Sequence, residues 1–122
     1  MTIALDARPT ATTPDDASMP FAYAYMRVPC DISDDKVRRM EHELHRFAER
    51  KGLRLVETFY EFTCGSHEAF NDLIVELQRT GSVTVIVPTL RHLARSVMLQ
   101  NCLLSRLEFD AQADVYELVE TA

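Results

Sequence analysis

Phe21-Ala22-Tyr23-Ala24-Tyr25-Met26-Arg27-Val28-Pro29-Cys30-Asp31 is an apolar, aromatic run that stops at an arginine, a proline and an acid. A strand that is apolar on both faces fits a parallel sheet covered by helices on both sides. The run therefore predicts the first, central strand of such a sheet, with Arg27 delivered to its carboxyl edge. In open α/β sheets that edge collects ligands, because strand ends and helix N-termini leave a crevice there.

Reading outward from this strand, residues 1–20 are small, polar and proline-rich with no apolar period. They are expected to form a disordered leader to a single domain over residues 21–122. Downstream, Ser33 is placed to cap a helix whose first turn holds Asp34 and Asp35, with Ile32 and Val37 as a hydrophobic staple. Val37, Met40, Leu44, Phe47 and Ala48 repeat at helical spacing, and Gly52 ends the helix. Leu53 to Tyr60 reads as a second strand and Thr63 to Ser66 as a turn, with Ser66 capping a second helix. That helix buries Phe70, Leu73, Ile74 and Leu77 and ends at Gly81. Val83 to Val87 is a short β-branched strand closed by Pro88. A connection with Arg91 and Arg95 leads to a third helix, Ser96 to Phe109, and Asp114 to Glu120 forms a last strand. The order β-α-β-α-β-α-β predicts a three-layer α/β domain, a mostly parallel four-stranded sheet with helices on both faces.

The chain has 122 residues, enough for one domain, of which 47% are hydrophobic and 26% charged. No stretch approaches the roughly 18 apolar residues of a membrane span. Three widely spaced cysteines, Cys30, Cys64 and Cys102, argue against a disulfide framework and for a reducing compartment, so a cytoplasmic protein is expected. The formal net charge of −6 opposes unaided nucleic-acid binding, which draws most of its affinity from Lys and Arg on phosphates. Weak or no direct DNA contact follows.

Several segments together resemble the catalytic domain of serine recombinases, the resolvase/invertase family. They are Tyr25-Met26-Arg27-Val28, Gly52-Leu53, Val56-Glu57, Ala69-Phe70-Asn71-Asp72-Leu73-Ile74, Val85-Ile86-Val87 and Leu93-Ala94-Arg95-Ser96. The likeness runs from about Phe21 to the end, in order. It implies the resolvase-like fold and, in active members, a serine that attacks a DNA phosphodiester to form a phosphoserine link.

At the positions that would carry this chemistry the chain departs from the family. Where members end the strand Tyr-x-Arg-Val-Ser, the serine position is Pro29, which has no nucleophile and no N–H. Where they carry an arginine just before the second helix, Glu68 stands. The family's Leu-Asp-Arg-Leu-x-Arg-Ser becomes Leu90-Arg91-His92-Leu93-Ala94-Arg95-Ser96, which keeps the last arginine as Arg95 and replaces the Asp-Arg pair by Arg91-His92. Phosphoryl transfer needs an activated nucleophile and cations on the non-bridging oxygens. The departures imply a pseudoenzyme with no catalytic residues. Active members also continue into a dimerisation helix and a DNA-binding region, which this chain is not expected to supply.

Arg27 and Arg95, with Arg91, are the candidate anion-binding residues at the carboxyl edge, beside the start of the Ser33 helix. The plainer reading, scaffold arginines paired with Asp31, Glu61 or Glu68, is favoured. Cys30 is the one candidate replacement nucleophile; a bystander thiol is favoured there. His42 and His45, and the Cys64-x-x-His67 spacing, lack the convergent ligands a zinc site needs, so no metal and no cofactor is expected. The composite expectation is an interaction or regulatory module whose partner is a protein, a full-length recombinase or a second copy of itself. The alternative is residual DNA strand transfer or phosphate-ligand binding at the Arg27 and Arg95 edge.

Overall fold

A computed structural model describes residues 20–28, 32–62 and 66–118. Nearly all of the expected leader, Pro29 with Cys30 and Asp31, Thr63 with Cys64 and Gly65, and the end of the last strand from Val119 lie outside the described residues. The elements are β1 (Phe21–Arg27), α1 (Asp34–Arg50), β2 (Arg54–Glu61), α2 (Glu68–Thr80), β3 (Thr84–Val87), a single 3-10 turn (Leu90–His92), α3 (Val97–Ala111) and β4 (Asp114–Glu117). All strand pairs are parallel and their order is β2-β1-β3-β4, so β1 is interior as its apolar run requires.

Alternation along β1 divides the core in two. Ala22, Ala24 and Met26 point to one face, where with Ile86 they meet Leu44, Phe47 and Ala48 of α1. Tyr23 and Tyr25 point to the other, where Val85 and Val87 join Phe70, Leu73, Ile74 and Leu77 of α2 and Leu103 and Leu107 of α3. The helical stripes read from the sequence are these inward faces, with Val37 and Met40 at the partly buried margin of α1. One helix thus covers one face and two cover the other. Tyr25 and Phe70 meet edge to face, ring centroids 5.7 Å apart at 88°.

Helix ends follow local chemistry with one exception. The Ser33 hydroxyl accepts from Lys36 N at 3.2 Å and the Ser96 hydroxyl accepts from Leu99 N at 3.1 Å. Gly52 and Gly81 close α1 and α2 with φ of +70° and +76°, a region a side chain would strain. The exception is α2, whose N-cap is His67 rather than Ser66. Ser66 Oγ instead accepts from Glu68 N at 3.2 Å, and Ala69 N donates to Glu61 Oε1 at 2.7 Å. A carboxylate from β2 does part of the capping, and that displaced the expected cap. Other boundaries move by a few residues: β2 extends to Glu61, β3 starts at Thr84, α3 runs to Ala111 and β4 stops at Glu117. No helix among the described residues is long and apolar enough to cross a membrane.

Leu44 is fully buried on the face that α1 covers alone, so no second helix can collapse into a cavity there. Leu44→Ala is expected to lower the unfolding free energy by about 2–5 kcal/mol, read from urea denaturation.

Candidate functional site

Period-two alternation places Arg27 on the α2 and α3 face at the carboxyl end of β1, in register with Glu61 of β2. Its backbone N–H donates to His92 Nδ1 at 3.0 Å. Its guanidinium donates from Nε to the His92 carbonyl at 3.2 Å and from Nη1 to the Ser66 carbonyl at 3.1 Å. From Nη2 it reaches the Tyr25 hydroxyl at 3.2 Å and the Leu93 carbonyl at 3.1 Å. One N–H, on Nη1, lies outside this set. Arg27 therefore binds the lead-in to α2 and the segment after β3 to the end of the central strand.

The neighbouring groups take fixed states. His92 Nδ1 accepts a proton-bearing amide, so the neutral ring carries its hydrogen on Nε2. Burial first, then the Arg27 charge, pushes the His92 pKa below its usual value. Burial drives the Tyr25 phenol pKa well upward, opposed by Arg27 and reinforced by Glu61, so it stays protonated. Glu61 is only 3% exposed. Its Oε1 holds Ala69 N, its carboxylate sits favourably at the positive end of the α2 dipole, and its Oε2 has no hydrogen-bond partner among the described residues. His67 Nε2 is likewise buried without a partner among the described residues.

Of the three candidate anion binders, Arg27 is half-buried and engaged, whereas Arg91 and Arg95 flank the His92–Leu93 segment with exposed side chains. Sequence reasoning paired Arg27 with carboxylates; its partners among the described residues are carbonyls and a phenol, because the ends of two loops close over it. Pro29, Cys30 and Cys64 lie outside the described residues. His42 and His45 are exposed on α1, and the described residues hold no group of three or more metal-ligating side chains. Two site residues were under-read: Glu61, named only as a partner for Arg27, and Tyr25, quoted only within a motif. Their signal was phase, since Tyr25, Arg27, Phe59 and Glu61 share one face.

The sequence matches the family Resolvase, N terminal domain, over residues 22–121. The chain belongs to this family. Among solved structures it is similar to the C-terminal catalytic domain of ISC1926 TnpA, an IS607-like serine recombinase. That match has a TM-score of 0.69 and 15% identity, covers 83% of this chain and 69% of that one, and speaks to the fold. It is also similar to the N-terminal catalytic domain of TP901-1 integrase, with a TM-score of 0.63 and 26% identity over 80% of this chain and 76% of that one. No curated protein sequence matches it. The four-stranded parallel α/β fold is thus that of serine-recombinase catalytic domains.

Within this resolvase domain the carboxyl edge has a definite electrostatic content: a guanidinium held by dipoles, a buried carboxylate, a neutral imidazole and a neutral phenol. The imidazole makes the edge sensitive to acid. Above about pH 6.5 His92 is neutral both folded and unfolded; below it the unfolded chain takes up the proton first, so stability falls with pH. His92→Leu is expected to weaken this loss between about pH 7 and pH 5, and to cost about 1–3 kcal/mol at neutral pH by stranding the Arg27 N–H. Urea unfolding of both proteins at the two pH values measures each effect.

Proposed function

We propose that this resolvase domain is catalytically silent and works in the cytoplasm as a protein interaction or regulatory module linked to DNA recombination or a mobile element. The observation that carries the reading is the engagement of Arg27. Its guanidinium donors go to His92, Ser66, Leu93 and Tyr25 oxygens of the same chain. A phosphate would have to displace these bonds or share the one N–H that no described residue engages.

The charges around it support the same reading. Glu61 already occupies the positive end of α2, the element that offers an anion backbone N–H groups. Glu68 adds a second acid at the first turn of that helix. The position that the family fills with its serine is Pro29. Losing one electrostatic stabiliser typically costs about 100- to 1,000-fold in rate, and here the nucleophile and several cations are lost together. A full-length serine recombinase is the partner class that fits, since a silent domain of the same fold can occupy a protein surface without reacting. It would act without strong DNA contact of its own, in keeping with a net charge of −6.

The full chain, incubated with supercoiled and with pre-nicked DNA and then denatured, is expected to give no strand cleavage and no covalent protein–DNA adduct. Pro29→Ser is expected to give none either, because one hydroxyl does not restore the cations. An adduct from the native chain that disappears in Cys30→Ala would overturn the reading in favour of relocated nucleophilic chemistry. Inorganic phosphate and pyrophosphate are expected to leave the melting temperature unchanged. A rise that Arg91→Ala and Arg95→Ala abolish would establish phosphate binding at that edge instead.

A further inference from the structure

The amino edge of the sheet carries a basic cluster of its own. Arg50 ends α1, Lys51 follows it and Arg54 opens β2, so three positive charges fall within a short stretch of chain. Aromatic rings hold all three. Arg50 Cζ and Lys51 Nζ lie 5.7 Å and 5.5 Å from the centroid of the Phe47 ring, and Arg54 Cζ lies 5.6 Å from that of Phe21. A cation on a ring face keeps N–H groups for a carboxylate at its side. Among the described residues no carboxylate takes that place, since the ion pairs join Arg38 to Asp35, Arg79 to Glu76 and Arg106 to Asp110. The negative end of the α1 dipole accounts for Arg50 and Lys51, but not for Arg54 in a strand. In a chain of net charge −6, a basic edge without acids runs against the general balance.

We propose that this edge is the docking site of the chain's own acidic leader, residues 14–19, with Asp15 and Asp16 set against Arg50, Lys51 and Arg54. The join between leader and domain brings the two together. The Pro20 carbonyl accepts from Arg54 N at 2.9 Å, so the chain enters β1 beside the third of the cations. Asp16 and Asp15 precede Pro20 closely enough that even a fully extended chain separates them from it by no more than about 14–18 Å. The tight turn at Gly52, with φ of +70°, keeps Lys51 close to Arg54 and the whole cluster within that reach.

The leader is also suited to the task. Pro14 and Pro20 bracket the acidic pair. Each proline fixes its own φ and holds the residue before it near the extended region, so the segment has fewer conformations to lose on docking. A tether this short sets a local concentration in the millimolar range, which compensates for the weakness of exposed ion pairs taken singly. With the leader in place the edge is largely neutralised; with the leader displaced, three cations are released together. The segment is therefore a built-in competitor for any acidic partner of this edge. The proposal does not rest on the domain being silent.

The chain has two lysines, and α1 holds them apart. Lys36 lies in its first turn and Lys51 just past its end, about 22 Å away. A water-soluble carbodiimide joins a carboxylate to an amine in direct contact, and peptide mapping of the cross-linked monomer reads which lysine the leader meets. At low salt Asp15 or Asp16 is expected to link to Lys51 at least about tenfold more often than to Lys36. The yield is expected to fall at least about threefold in about 0.5 M salt, and as much in Arg50→Glu, whose side chain is exposed. Absence of a leader link to Lys51 overturns the proposal, as do equal linking to both lysines and a Lys51 link confined to cross-linked dimers. A Lys51 link that salt and Arg50→Glu both leave unchanged overturns it too, since that is tethered proximity without attraction.

Discussion

A guanidinium at the end of an apolar strand is a constraint before it is a functional group. Met26 and Tyr25 are fully buried and Arg27 follows them directly, so its charge enters the molecule half out of water. That placement is tolerable only if dipoles replace the lost hydration. Three backbone carbonyls and a phenol do so, spread over the planar fork in directions that a lysine ammonium could not match with one rigid group. The same bonds pull together the end of β1, the lead-in to α2 and the segment after β3. The layout of the carboxyl edge follows from the need to solvate one charge.

The states of the surrounding groups are consequences of that clamp. The Arg27 amide needs an acceptor, and an imidazolium cannot supply one, so His92 is held neutral with its free nitrogen turned inward. Tyr25 accepts from Arg27 and stays protonated because burial outweighs the nearby positive charge. Glu61 is buried yet charge-compatible, because the α2 N-terminus offers it an amide and a favourable dipole. Cation and anion each find compensation inside the protein.

What was legible in the sequence was what short-range physics determines. The unbroken apolar run of β1 gave an interior parallel strand; the Ser33 cap with Asp34 and Asp35, and the Phe70, Leu73, Ile74 and Leu77 spacing, gave α1 and α2 with their inward faces. Glu61 was illegible as a buried residue because the expected strand stopped at Tyr60 and left a charged residue just beyond it, where exposure is the default. Its burial depends on an Ala69 amide that folding brings to it, and that amide also removed the cap role from Ser66. For α3 the periodicity could not select a face, since apolar residues stand on both sides. Packing of Leu103 and Leu107 against the sheet settles the orientation and leaves Met98 and Phe109 outside. Pro29 was read from the family pattern, and its surroundings lie outside the described residues.

The composition of the clamp makes it independent of most of the side chains around it. Three of the four guanidinium acceptors are backbone carbonyls, which every residue possesses, so the bonds are indifferent to the side chains that carry a reaction. Substitution at positions 29, 68, 91 or 95 leaves each of those carbonyls in place, whereas replacing Arg27 would leave three carbonyls and a phenol at a half-buried edge without their donor. Arg27 therefore ties the carboxyl edge together whichever side chains stand beside it. Its described neighbours, the buried Glu61 and the neutral His92, are likewise held by backbone amides, those of Ala69 and Arg27.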